Sequence, residues 1–296
     1  MDVRNCLVYI AHGNVDFKNE AIFSILSYLE ICDNADKLTI IVYTDSALYF
    51  ESVLGQQGNI IYEEIDSAQW QAWRGDIDFV HRAKIEVIKH ALEKNGGNIL
   101  YLDSDTFFLK DPKPIYNAIE SGIHFLHVRE GLIANGSPLH IAIYDFLMAH
   151  PAEEWSAISI HTAMYNAGAI GLSRKDLKLL IQTISLTDKL YRAYPSHVME
   201  QLAFSIVLNQ NGPAGEVAPF VLHYWHMKEV RSELDKFFGE NAGKPLPILL
   251  ARLREFPIVE ASSQKDIWEK RHRWQRALMR LMGIGWKWPA NHRKLL

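Results

Sequence analysis

Apolar segments that alternate with helix-like segments over the first third of the chain limit its fold more than any other feature. Three short segments are almost wholly apolar and are expected to be buried strands: residues 6–11, 38–43 and 98–102. Residues 59–65 are expected to form a further strand. Between them, residues 19–31 and 81–92 repeat apolar side chains at helical spacing. Continuous apolar strands separated by helices are typical of a parallel sheet covered by helices on both faces. The sequence therefore predicts an α/β fold with a mostly parallel central sheet.

The remaining two thirds mix shorter strand and helix patterns. Three further strands are predicted at residues 124–128, 167–172 and 217–224, and three helices at residues 142–149, 175–184 and 198–208. Pro245, Pro247 and Pro257 then interrupt the pattern. Residues 264–282 are expected to form one basic amphipathic helix. These features predict a main domain over residues 1–250 and a helical C-terminal extension over residues 251–296.

Charge is distributed unevenly along the 296 residues. The formal net charge is −4, yet residues 265–296 hold nine Lys or Arg and two Asp or Glu, so the rest of the chain carries −11. An acidic body repels phosphate backbones, and no nucleic-acid partner is expected. The basic extension contains tryptophans and predicts either a peripheral contact with an anionic membrane surface or a helix packed on the main domain.

The apolar segment near the N-terminus, residues 6–11, is too short for a signal peptide. No stretch approaches the roughly 20 apolar residues that span a bilayer. The expected location is the cytoplasm, with the basic extension as a candidate contact with the inner face of a membrane.

The strongest chemical signal lies in residues 98–112, NILYLDSDTFFLKDP. A buried strand ends there in Asp103 and Asp105, separated by Ser104. Paired carboxylates at such a turn suit Mg²⁺ or Mn²⁺, which substrate phosphates then complete. The alternative is a pair of aspartates that only shapes a turn at the strand end.

Other candidate residues follow from the sheet. Ligands of open α/β sheets bind beyond the carboxyl ends of the strands. Ala11 ends the first strand, where a nucleotide base is expected, and Asp45 follows the second. Asp45 is a candidate partner for a ribose or base, or a helix or turn cap.

The segment LYLDSDTFFLKDP resembles the Asp-x-Asp region of GT-A glycosyltransferases, in particular the retaining, glycogenin-like family 8. This resemblance implies a GT-A-like fold, a divalent cation at Asp103 and Asp105 with Ser104 beside the nucleotide, and a nucleotide-diphosphate sugar as donor. Three later segments occur in the order of the family: residues 165–171 (YNAGAIG), the pair at 200–201 and a late histidine. By this resemblance Asn166 lines the pocket of the donor sugar, Glu200 lies near the reacting centre and His223 is the third metal ligand.

The resemblance also implies roles for basic residues. Arg82 and Lys84 open the helix before the metal strand, where the family often places a basic residue near the nucleotide. In the family pattern the late histidine is followed by a glycine and, six positions on, by a lysine. Here Lys228 follows His223 by five residues without that glycine, and His226 is a second candidate ligand. The strand end favours His223, and Lys228 is the candidate contact to the diphosphate.

The predicted function is therefore metal-dependent transfer of a sugar, UDP-linked by the resemblance, to an unknown acceptor. Glu200 would act as a general base if the anomeric configuration inverts, or stabilise the transition state if it is retained. A saccharide, a lipid-linked glycan and a protein all remain open as acceptors.

Two other classes of enzyme fit the sequence less well. Haloacid-dehalogenase-like phosphatases need Thr or Val where Phe107 stands, and nucleotidyltransferases need a glycine-rich loop that residues 12–14 lack. A non-catalytic sugar-binding module is the remaining alternative.

Overall fold

The computed structural model describes residues 4–32 and 38–289. The strands are β1 (Asn5–Ala11), β2 (Thr39–Thr44), β3 (Ile60–Glu64), β4 (Asn98–Leu102), β5 (Thr106–Phe108), β6 (His124–Leu132), β7 (Ala163–Ser173), β8 (Ala214–Glu216) and β9 (Val221–His223). The helices are α1 (Val15–Ile31), α2 (Ala47–Leu54), α3 (Ser67–Arg74), α4 (Arg82–Asn95), α5 (Lys113–Glu120), α6 (Pro138–Ala149), α7 (Leu177–Ala193), α8 (Met199–Gln210), α9 (Glu229–Glu240), α10 (Leu246–Leu253), α11 (Ile258–Glu269) and α12 (Arg273–Leu281).

The central sheet has the strand order β3-β2-β1-β4-β7-β6-β8. Strands β3, β2, β1 and β4 pair in parallel, and β6 pairs in parallel with β8. Only β7 runs against its neighbours β4 and β6. The expected α/β class with a mostly parallel sheet is confirmed.

Helices cover both faces of the sheet, as continuous apolar strands require. Along β1 the side chains alternate: Leu7 and Tyr9 pack in a core with α1, whereas Cys6 and Val8 pack in a second core with α4. All four of these side chains are fully buried. The sheet therefore forms a rigid support for the residues that follow its strands.

Two stretches fold differently from the sequence prediction. The expected strand over residues 217–224 is wrong in its first half, where Phe220 N–H donates to Val217 O in a turn (2.8 Å). Pro219 lies in that turn and has no N–H for a sheet bond. The single helix expected over residues 264–282 is also wrong, because α11 ends at Glu269 and α12 begins at Arg273. A capping box between His272 and Gln275 provides hydrogen-bond acceptors for backbone N–H groups at the start of α12.

The region after the proline-rich stretch packs on the main core. Leu249 and Leu253 of α10 and Ile258 of α11 belong to the same buried cluster as β1 and α1. The predicted boundary at residue 250 falls inside α10. Within residues 4–32 and 38–289, no helix has the length and apolar character to cross a membrane.

Candidate metal and ligand site

A two-stranded ribbon brings distant residues to the end of β4. Strand β5 pairs antiparallel with β9, with Thr106 opposite His223. Tyr224 N–H donates to Asp105 O (3.0 Å), which extends the pairing by one bond. On the other side, Asp103 N–H donates to Gly168 O of β7 (2.8 Å). Backbone pairing thus sets His223 beside an aspartate that lies 118 positions earlier.

Asp103, Asp105 and His223 form a compact cluster at this point. One ligand atom from each lies within 4.8 Å of the others, and this is the only such group of acidic, His or Cys residues in the part of the chain that the structure describes. His223 Nε2 lies 3.1 Å from Asp105 Oδ1 and 4.0 Å from Asp103 Oδ2. Two carboxylates and an imidazole suit Mn²⁺ or Mg²⁺ by ligand type.

Asn166 orients the imidazole. Its Oδ1 accepts the N–H of Gly168 (2.9 Å), and its Nδ2 donates to Glu130 Oε1 (3.2 Å). These two bonds identify the oxygen and the nitrogen of the amide. His223 Nδ1, 3.0 Å from the same Oδ1, must therefore carry the proton. Nε2 then points at the carboxylates, where a cation or a proton can bridge it to Asp105, and the donor set fits a divalent cation.

Gly168 provides the room for that imidazole. A β-carbon at position 168 would overlap Cε1 and Nδ1 of His223. Gly168, which belongs to the YNAGAIG segment of the family resemblance, thus makes room for a side chain of the site itself.

Lys84 lies behind Asp103 as a buried cation. Its Nζ is 3.0 Å from Asp103 Oδ2, 3.1 Å from Ala167 O and 3.5 Å from Glu200 Oε1. Burial would lower the pKa of Lys84, but the charges of Asp103 and Glu200 raise it above its ordinary value. Lys84 therefore stays charged and ties α4, β4 and α8 together.

Asp105 is held as a carboxylate. Burial would raise its pKa, but the charge and hydrogen bond of His223, with a further contribution from the charge of Lys228, lower the pKa to about 2. Asp103 accepts a hydrogen bond from Tyr101 OH (2.9 Å) as well as from Lys84. Both carboxylates are thus fixed in position by neighbouring groups.

The cluster lies in a cavity of about 740 Å³. This volume is within the range of small-molecule sites. The expected site residues that line it are Lys84, Asp103, Ser104, Asp105, Asn166, Glu200, His223 and Lys228. Part of the wall is apolar or aromatic and includes Ile10, Phe17, Trp70, Val80, Leu139 and Trp225. His12 stacks on Trp70 with ring centroids 4.5 Å apart.

Three predicted contacts lie outside that lining. Ala11 is buried, and its carbonyl accepts from Thr44 Oγ1 (2.9 Å). Asp45 pairs with Lys18 (2.9 Å) and accepts from Gly13 N–H, in agreement with the alternative of a turn cap. Arg82 of α4 is not among the residues that line the cavity, and it donates to Asp188 of α7 (2.8 Å), which joins the two helices.

His226 does not belong to the cluster of Asp103, Asp105 and His223. Its Nε2 lies 3.4 Å from Asp266 Oδ1 on α11. The geometry therefore favours His223 over His226 as the metal ligand.

Three charged residues of the cavity were not among the predicted site residues. Glu130 accepts from Asn166 and from Gln201 Nε2 (2.8 Å). Glu20 of α1 accepts from Arg231 of α9 (2.9 Å) and lies 3.4 Å from Ser104 Oγ. Burial raises the pKa of Glu20, and Arg231 opposes that shift. Glu130 lies near the carboxyl end of β6, which runs in the same direction as β4, so the rule that ligands bind beyond strand ends could have found it. Glu20 and Arg231 lie within helices and gave no such signal.

Comparison with known proteins identifies similar folds. No protein-family model and no curated protein matches the sequence. Among solved structures, mouse xyloside xylosyltransferase 1 is 11% identical with a TM-score of 0.50, over 72% of this chain and 85% of that one. The glycosyltransferase GlyE of Streptococcus pneumoniae TIGR4 is 12% identical with a TM-score of 0.51, over 85% of this chain and 63% of that one. At such identities the likeness concerns the fold alone, and it shows that this chain has the GT-A-like fold of glycosyltransferases.

Proposed function

We propose that this chain is a glycosyltransferase that uses a nucleotide-diphosphate sugar and a divalent cation. The observation that carries the proposal is the cluster of Asp103, Asp105 and His223 inside a cavity of about 740 Å³ on a GT-A-like fold. A cation held there would stabilise the negative charge that develops on the diphosphate when the glycosidic bond breaks.

The charges of the cavity support a requirement for that cation. Its lining contains five carboxylates, Glu20, Asp103, Asp105, Glu130 and Glu200, against the three cations Lys84, Lys228 and Arg231. Most of these cations are already engaged: Lys84 contacts Asp103 and Glu200, and Arg231 contacts Glu20. A diphosphate would meet an excess of negative charge unless a divalent cation compensates it. Lys228 makes no ion pair within the described residues, and we assign it to the diphosphate.

Glu200 is the candidate group beside the sugar. Its carboxylate is buried, and Oε1 lies 3.5 Å from Lys84 Nζ. Its Oε2 has no hydrogen-bond partner in the part of the chain that the structure describes. A buried carboxylate oxygen without a donor is unfavourable, and a sugar hydroxyl in the cavity would supply that donor. Ser104 and Asn166, which also line the cavity, are proposed as further donor contacts.

The nucleotide of the donor and the stereochemistry of transfer are proposed from the family resemblance. We propose a UDP-linked donor and retention of the anomeric configuration, as in the glycogenin-like family. Proton NMR of the product tests retention, because the coupling constant of the anomeric proton separates the two outcomes. An inverted product would overturn this part while leaving the transferase proposal intact.

The experiment that tests the function is metal-dependent release of UDP from a panel of UDP-sugars. We expect release with Mn²⁺ or Mg²⁺ and none with a chelator. Asp105→Ala should reduce release at least about a thousandfold, because charge stabilisation by a metal is worth several kcal/mol. Asp266→Ala is the matched control, since Asp266 faces His226 outside the cavity.

A non-catalytic sugar-binding module is the competing function. Such a module would bind the donor without releasing UDP. Binding of a UDP-sugar with no release over hours, with or without candidate acceptors, would favour the module and contradict the transferase.

A further inference from the structure

Helix α12 turns its apolar side to solvent. Trp274, Leu278 and Leu281 are 60%, 51% and 86% exposed, and Met282 directly after the helix is also exposed. Their spacing places them on one side of the helix, hereafter the α12 apolar face. No residue of α12 is buried. A surface helix normally packs its apolar stripe on its own domain, so this face is open for another surface.

The opposite side of α12 is basic. At 3.6 residues per turn, Arg276 lies about half a turn from the centre of the α12 apolar face, and Arg273 and Arg280 lie about a third of a turn from it. None of the three forms an ion pair with any residue in the described ranges. Residues 270–289 contain six Lys or Arg and no Asp or Glu. The segment therefore combines an exposed apolar face with uncompensated positive charge.

The domain holds α12 at both ends. Before it, Trp268 of α11 is buried, and Arg271 contacts the sulfur of Met279 (3.4 Å). After it, Lys265 Nζ lies 4.4 Å from the ring centroid of Trp286. Trp288 contacts Phe256, which packs against the main core, with ring centroids 5.6 Å apart. The helix is thus attached to the domain on both sides while its apolar face stays outside.

We propose that the α12 apolar face docks on the surface of a bilayer that contains anionic phospholipids. Tryptophan and leucine side chains enter the boundary between headgroups and acyl chains, while flanking arginines bind the lipid phosphates. A second copy of the chain fits less well, because it would bring two clusters of arginines together with no acidic residue on either helix. This proposal stands independently of the proposed transferase activity.

The docking helix is connected to the candidate site. Lys265 of α11 donates to Glu229 (2.6 Å), which follows Lys228, and Asp266 lies 3.4 Å from His226. The helix that leads into α12 therefore contacts the segment that carries the cavity residue Lys228.

The test is co-sedimentation of the full chain with vesicles of phosphatidylcholine alone or mixed with phosphatidylglycerol. We expect binding to the anionic vesicles that weakens as salt is added. Replacing Arg273, Arg276 and Arg280 by Gln should weaken it on the order of 100-fold, given about a fivefold loss per charge. Replacing Trp274, Leu278 and Leu281 by Ser should abolish it. The matched control is Leu48→Ser with Ile181→Ser, two exposed apolar residues elsewhere.

Three results would overturn the proposal. The first is no binding of the wild-type chain to anionic vesicles at low salt. The second is unchanged binding when the three apolar residues of the α12 apolar face are replaced by Ser. The third is an equal loss of vesicle binding in the control variant. Self-association that depends on the same three apolar residues, without vesicle binding, would assign the face to a second copy instead. Circular dichroism should show that each variant is folded, since none of the altered side chains is buried.

Discussion

Asn166 Oδ1 accepts a hydrogen bond from His223 Nδ1 across 3.0 Å, and this bond directs Nε2 toward Asp105. The family resemblance implies that Asn166 contacts a donor sugar. Its contacts to Gly168 N–H and Glu130 show that it also holds a side chain of the candidate metal cluster in place. The sugar contact and the orienting role are separable by experiment.

Loss of that orienting bond should weaken metal binding. We expect Asn166→Leu to lower Mn²⁺ affinity roughly 10- to 100-fold, as is typical when the partner of a ligating histidine is removed. Titration of Mn²⁺ followed by electron paramagnetic resonance measures the affinity directly, without any sugar. Asn209→Leu is the control, because Asn209 donates only to a backbone carbonyl of its own helix. Unchanged Mn²⁺ affinity in folded Asn166→Leu would contradict the orienting role.

A methyl group at position 168 should disturb the same imidazole. In Gly168→Ala the added carbon would overlap His223, so the ring must rotate or the backbone of β7 must shift. We expect a lower melting temperature and a loss of Mn²⁺ affinity. Gly239→Ala provides the matched control, since no atom lies within 4 Å of its added carbon. That change, near the end of helix α9, should be neutral or stabilising by up to about 1 kcal/mol. Equal behaviour of the two variants would refute the steric argument.

How far the sequence predicts this site depends on the kind of signal. Asp103 follows an apolar strand, so the strand pattern alone places it at the sheet edge. His223 was identified only through the order of the family motifs. Its approach to Asp105 depends on the pairing of β5 with β9, and strands of three residues are too short to be predicted from a sequence pattern. Arg231 lies on α9, a helix missed despite apolar residues at Val230, Leu234 and Phe237. Local patterns thus predicted strands and their ends, whereas contacts between distant helices required the structure.

The buried position of Lys84 predicts a stability effect. Lys84→Met would leave Glu200 buried without its cation and remove a neighbour of Asp103. We expect a loss of about 3–5 kcal/mol in the free energy of unfolding in urea. Lys94→Met removes an exposed pair with Glu63 and should change the free energy by less than about 1 kcal/mol. Similar losses in both variants would show that the Lys84 pairs contribute no more than a surface pair.

Asp176 predicts a dependence of stability on pH. Burial would raise its pKa, but hydrogen bonds from His124 and Ser173 lower the pKa below the ordinary value of 3.8. A lowered pKa in the folded state stabilises the fold above pH 3.8, and that contribution is lost as the pH falls through the folded pKa. Asp176→Asn should therefore be less stable than the wild type near neutral pH, with the difference shrinking in acid. A difference that is constant across this pH range would contradict the assignment.

In the proposed function, Asp103, Asp105 and His223 hold a divalent cation that binds a nucleoside diphosphate. The most direct test is the thermal stability of the wild type and of Asp103→Ala with a panel of nucleoside diphosphates, with and without Mn²⁺. A ligand that binds only the folded state raises the melting temperature. We expect stabilisation by one nucleotide, UDP, that requires Mn²⁺ and is lost in Asp103→Ala. Stabilisation that is independent of metal, or none by any nucleotide, would contradict it.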